Sequence, residues 1–168
     1  MSPNVNQASF GRGSVTVASA VRWRALAKQM LPTTFSDASD NDSWRISTYI
    51  FFFSLLPEVR EAHRTGKTEF LANAYGFAEW SYDHPAKELW NAVAVSFYEH
   101  LFDDGADPMT VLPWLSKQVR TGVLGLWEFR LSGKDFARLR PMVEAVEHRH
   151  GDVCGRALIE ALKQMGCN

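Results

Sequence analysis

Four apolar side chains at strict i+4 spacing, Leu89, Val93, Phe97 and Leu101, dominate the middle of the chain. That period draws one continuous apolar stripe along a helix, because residues four apart lie one above the other on the same face. Val93, Val95 and Phe97 also alternate, as a strand would. The length, the alanines and the Asp83/Pro85 start favour a helix over residues 85–102. This segment is expected to be the central helix of the fold.

The neighbouring segments share the period. Residues 44–56 are apolar almost all round and are expected to be a buried helix, with Pro57 opening a further turn that Gly66 ends. Residues 68–82 start at Thr68 and carry Phe70, Ala74, Phe77 and Ala78 on one stripe. Asp83 is read as the cap of the next element. Asp107-Pro108 opens a short helix, and Ser116 caps one that runs to Leu131. Ser132 with Asp135 gives a capping box, and Pro141 is expected to kink or split the helix that follows. Asp152 is read as capping a last helix that buries Leu158, Ile159, Leu162 and Met165. The expectation is an all-α, compact bundle of about seven helices around residues 85–102, forming one domain over 44–168.

Residues 1–43 read differently. Residues 1–36 hold Arg12, Arg22, Arg24 and Lys28 and no acid, and 17–30 could form a basic helix. Residues 32–43 look like a polar linker. The region is expected to be a flexible, dispensable basic extension. An acid-free, Arg-containing start is also the composition of an organelle transit peptide, and Met30 is an alternative translation start.

Charge and composition narrow the function. All 19 acidic residues lie beyond residue 36, against the other 14 basic ones. A mildly acidic body disfavours non-specific nucleic-acid binding, which needs clustered Lys and Arg, and favours a basic partner. The longest apolar stretch, Tyr49 to Leu56, is too short for the ~20 residues of a membrane span. Cys154 and Cys167 fit neither a disulfide scaffold nor a zinc pattern and are read as reduced thiols in a cytoplasmic protein. No cofactor or metal site is expected. Glu147 and His150 have the Glu-x-x-His spacing of metal ligands, but a di-iron bundle needs two copies and two further glutamates. That segment, 144–150, is read as a solvated helix end. Glu99 and His100 suggest acid–base work, yet adjacent helical residues point about 100° apart.

The aromatics of 75–82 stand out. Tyr75, Phe77, Trp80 and Tyr82 cannot share one stripe, so one or two should reach the surface beside Glu79 and Asp83. Exposed aromatics ringed by polar groups are common anchors of protein interfaces. Glu79, Trp80, Tyr82, Asp83, Asp103, Asp104 and Asp107 are therefore the candidate partner-binding residues.

Leu56-Pro57-Glu58-Val59-Arg60, then Leu89-Trp90-Asn91-Ala92-Val93-Ala94-Val95-Ser96-Phe97-Tyr98-Glu99-His100-Leu101, resembles a bacterial all-helical family of unknown function with immunity-protein-like members. Pro113-Trp114-Leu115-Ser116 and Leu126-Trp127-Glu128 are in keeping with it, so that the resemblance spans about 45–140. It implies a cytoplasmic inhibitor that binds a cognate toxin one to one, and no catalytic residue. The alternatives are a small helical enzyme or ligand-binding domain using Glu99/His100 or the 144–150 cluster, and a self-associating scaffold.

Overall fold

The computed structural model describes residues 16–39 and 46–166, and among these the secondary structure is all helical. Ten α-helices occur: α1 (Thr16–Met30), α2 (Pro32–Ser39), α3 (Thr48–Thr65), α4 (Thr68–Asp83), α5 (Lys87–Ser96), α6 (Pro108–Val111), α7 (Lys117–Gly122), α8 (Leu124–Arg130), α9 (Gly133–Ala145) and α10 (Gly151–Gln164). Short 3-10 turns follow α5 and α6. Beyond the expected seven of the bundle, α1 matches the basic helix read over 17–30, and α2 and α8 are additional.

Between Arg22 and Ala38 the expected N-terminal extension packs on the core. Trp23, Leu26, Ala27, Met30, Leu31 and Phe35 are buried in the same core as α3, α4 and α5. Trp23 meets Phe51 at 5.9 Å and Phe35 meets Phe51 at 6.1 Å between ring centroids. The stretch read as a polar linker contains α2, which turns Phe35 inward while Thr33 and Asp37 stay wet. One apolar side chain per turn suffices for a short helix that lies over a core, and composition averages that signal away. The domain thus takes in residues on both sides of 44. Residues 1–15 and 40–45, where the rest of the expected extension falls, lie outside the described residues.

The central stripe is correct and the helix is shorter than expected. Leu89, Val93, Phe97 and Leu101 are all buried. The α-helix stops at Ser96, Phe97 leaves helical geometry at φ −124°, ψ −66°, and residues 98–100 tighten into a 3-10 turn. Two side chains add second donors to carbonyls there that already accept from the Leu101 and Asp103 N–H groups at 3.3 Å. Trp127 Nε1 donates to Tyr98 O at 2.7 Å, and Arg60 Nη2 donates to His100 O at 3.0 Å.

Several boundaries shift for local reasons. Pro57 does not start a new helix, because α3 runs through it. Pro57 and Phe53, four residues earlier, are both exposed, so water can meet the carbonyl that proline leaves free. Pro141, also exposed, likewise sits inside α9. Gly66 ends α3 in the left-handed region at φ 69°, as expected. Asp83 closes α4 instead of capping α5, Lys67 precedes α4 in place of Thr68, and His150 precedes α10, which holds Asp152 in its first turn. The expected caps at Asp107, Ser116 and Ser132 all accept from backbone N–H groups. The expected helix after Ser116 breaks at Val123, beside Gly122, where the Tyr82 hydroxyl leaves no room for a Cβ. In α10 the fully buried residues are Cys154 and Ala161. Leu158, Leu162 and Met165 are half-buried, and Ile159 is 53% exposed.

Candidate functional site

Helices α4 and α10 pack against each other along matching stripes. Gly76, Glu79, Trp80 and Asp83 follow i, i+3, i+4, i+7 on α4, and Gly151, Cys154, Gly155 and Leu158 do the same on α10. Such residues share one helical face. The backbones come closest at Gly76, where an added Cβ would lie 2.8 Å from the Cys154 carbonyl oxygen. The stripes border an open groove of about 410 Å³, completed by His84 and Pro85.

The groove is acidic with an aromatic wall. Glu79 is half-buried and has no hydrogen bond or ion pair among the described residues. Trp80 is half-buried, stacked on Phe77 at 5.8 Å and tilted against His84 at 5.0 Å. His84 Nδ1 accepts from the Ala86 N–H at 3.0 Å, and burial holds its pKa below the usual histidine value. Asp83 accepts from Gln118 Nε2 at 3.0 Å. No Lys or Arg lines the groove. Burial, reinforced by the Glu79 carboxylate, pushes the Cys154 thiol up to about 12, so it stays protonated and unreactive at neutral pH.

The seven sequence-predicted residues do not form one face. Glu79, Trp80 and Asp83 share this groove. Tyr82 turns away, packing edge-on against Tyr98 at 5.8 Å, with its phenol beside Gly122. The three turn aspartates lie elsewhere and are engaged internally. Asp103 pairs with Arg130 Nη2 at 2.8 Å and His100 Nδ1 at 2.6 Å, and the Arg130 hydrogen bonds hold its carboxyl below the usual range. Asp104 pairs with Arg60 Nη1 at 2.6 Å. Asp107 accepts from Met109 N at 3.1 Å as the α6 cap. A cavity of about 500 Å³ beside them is bordered by Asp103, Asp107, Asp135, Arg130 and Arg138, so its charges are mixed.

The alternative acid–base residues are also placed. His100 is taken by Asp103 and packs on Phe53 at 5.4 Å, and it makes no hydrogen bond with Glu99. Glu147 and His150 lie between α9 and α10, so the helical geometry their spacing suggested does not form. Nor is the segment a solvated helix end. His150 stacks on Trp114 at 3.9 Å and its N–H donates to Pro113 O at 3.2 Å, while half-buried His148 sits against Gly151. Among the described residues no group of three or more His, Cys, Asp or Glu is placed to hold a metal. No helix among them is long and apolar enough to cross a membrane.

Two features went unread in the sequence. His63, Tyr75, Trp114 and His150 form an aromatic stack, with His63 Nε2 and the Tyr75 hydroxyl 2.8 Å apart and Tyr75 parallel to Trp114 at 5.6 Å. Its members come from four separate segments, which no local pattern joins. Ile50, Phe53, Trp90 and Phe129 are exposed, Phe129 at 87%. For Phe53 a signal existed, because three consecutive phenylalanines on a helix span about 200° and one must leave the core.

Fold and groove together define a helical domain with an acidic, aromatic-walled cleft. The chain belongs to the family described as Domain of unknown function (DUF7674), which matches residues 24–128, more than half of its length. The match begins inside α1 and ends inside α8, so it includes the α4 side of the groove and stops before α10. No curated protein and no solved structure matches the chain.

Proposed function

We propose that this protein is a binding protein that inhibits a cationic bacterial toxin by docking to it one to one in the cytoplasm. The observation that supports this reading is the α4–α10 groove, where half-buried Trp80 shares the lining with Glu79 and Asp83 and no Lys or Arg is present. Aromatic anchors with neighbouring charges are the usual energetic centre of a protein interface. Carboxylates around them speed encounter with a basic partner. The family match carries no assigned activity. The toxin partner follows from the resemblance to immunity-protein-like members in the segments 56–60 and 89–101.

The test is co-expression with the product of the neighbouring gene in a host that this product kills. The proposal expects growth to be restored and a one-to-one complex to run as a single species in gel filtration. Unrestored growth with no complex refutes it. A second reading, small-ligand binding, is favoured by the cavity of about 500 Å³ beside Arg130 and Arg138. Its mark would be saturable binding of a small anion there, lost in Arg138→Ala.

A further inference from the structure

We propose that the α4–α10 groove receives one arginine side chain of the partner, with its guanidinium against Glu79 and its apolar stem along Trp80 and Leu158. This deepens the binding-protein reading and rests on it. Three observations carry the assignment.

The first is charge. Glu79 and Asp83 are the charged side chains of the lining, no Lys or Arg is among them, and Glu79 has no partner among the described residues. The groove therefore complements a cation. The start of α10 also lies in the wall at Gly151. Its positive pole favours a carboxylate nearby, which accounts for Glu79 standing there without an internal cation.

The second is size. A volume of about 410 Å³ sits near the low end of the ~300–1,000 Å³ range of ligand sites. That suits one long side chain rather than a docked helix. The floor closes at Gly76, where Cys154 is in contact range of any added Cβ. The α10 wall stays open at Gly155, where nothing lies within 4 Å of one.

The third is surface chemistry. The wall offers an indole, Leu158 and Pro85 beside the two carboxylates. A side chain with an apolar stem and a cationic tip matches both. Arginine fits better than lysine, because its planar group stacks on an aromatic and donates two parallel hydrogen bonds to a carboxylate.

The experiment titrates the full chain with Nα-acetyl-arginine amide and follows backbone and indole N–H resonances by NMR. The Trp80 indole is identified by its loss in Trp80→Phe. Nα-acetyl-citrulline amide, neutral and nearly the same shape, is the comparison. The expected result is a saturable shift at the Trp80 indole and the Gly155 amide with the arginine compound, and binding about tenfold weaker with citrulline. Glu79→Gln weakens arginine binding by about the same factor, and Glu128→Gln, an exposed acid on α8, leaves it unchanged. Equal response to citrulline, or an arginine response untouched by Glu79→Gln, overturns the proposal. Should Glu79→Gln fold poorly on melting, the citrulline comparison on the wild-type chain decides. Arginine binding without toxin neutralisation removes the function proposed above and supports this inference. Neutralisation that survives both Glu79→Gln and Trp80→Ala overturns this inference and leaves that function standing.

Discussion

Trp23→Ala is the perturbation that tests whether the N-terminal helices belong to the folding unit. The indole is 2% exposed and lies between Phe35, 6.4 Å away, and Phe51, 5.9 Å away. Truncating a buried Trp costs ~3–5 kcal/mol, from lost transfer energy and the cavity left behind. At this chain length each kcal/mol lowers the melting midpoint by ~2–4 °C, so Trp23→Ala should melt about 6–20 °C lower. Deleting residues 1–36 goes further, removing Trp23, Leu26, Met30, Leu31 and Phe35 together. At ~1.5–3 kcal/mol for each large side chain buried, the loss is of the order of a whole domain's ~5–15 kcal/mol. The shortened chain should therefore show no cooperative transition, whereas a chain starting at Thr16 keeps all five residues. Thermal and urea unfolding followed by circular dichroism provides the readout. If residues 37–168 melt within a few degrees of the full chain, α1 and α2 are not part of the cooperative core and this reasoning fails.

Three further outcomes are expected. Gly76→Ala would normally gain up to ~1 kcal/mol as a better helix former, but here the Cβ meets the Cys154 carbonyl at 2.8 Å, so the variant should lose ~1–3 kcal/mol in urea unfolding. Trp127→Phe removes the shorter of the two hydrogen bonds to the buried Tyr98 carbonyl, leaves the one from Leu101 N–H at 3.3 Å, and should cost ~0.5–1.5 kcal/mol by the same measurement. His63 is held down to about 4 by burial, with His150 adding to the effect. The unfolded chain thus binds the proton first, and stability should be full above the ordinary histidine value near 6.5 and fall as pH drops from there toward 4. His63→Gln, which can keep a hydrogen bond to Tyr75, should flatten that part of the melting-temperature profile; an unchanged slope would assign the acid sensitivity to other groups.

What was legible in the sequence was local. The i+4 stripe of Leu89, Val93, Phe97 and Leu101 identified the buried face of the middle segment, and Asp107, Ser116 and Ser132 marked helix starts, because capping is decided within one turn of chain. What was not legible depended on distant partners. Phe97 leaves the helix where Arg60 and Trp127 donate to the carbonyls beyond it, and Gly122 ends α7 where the Tyr82 phenol crowds it. The candidate site split for the same reason. Glu79, Trp80 and Asp83 share a helical stripe and stay together, but nothing near Asp103 and Asp104 in the sequence shows that Arg130 and Arg60 neutralise them. The partner helix of the groove, α10, lies about 75 residues away and carries its own matching stripe from Gly151 to Leu158.

The central claim is that the protein acts through the acidic groove between α4 and α10. Its most direct test is the salt dependence of the association rate with the cognate toxin, measured for wild type, Glu79→Lys and Asp103→Lys, with melting curves alongside. Glu79 has no partner among the described residues, whereas Asp103 is bound to Arg130 and His100. The account predicts that Glu79→Lys gives up only the ~0.3–1 kcal/mol attraction of the α10 pole and so melts within a few degrees of wild type, associates at least about tenfold more slowly at low salt, and loses the salt dependence. Asp103→Lys should instead lower the melting temperature, with a smaller effect on the rate. Wild-type association by Glu79→Lys at low salt would contradict the account and move the interface away from the groove.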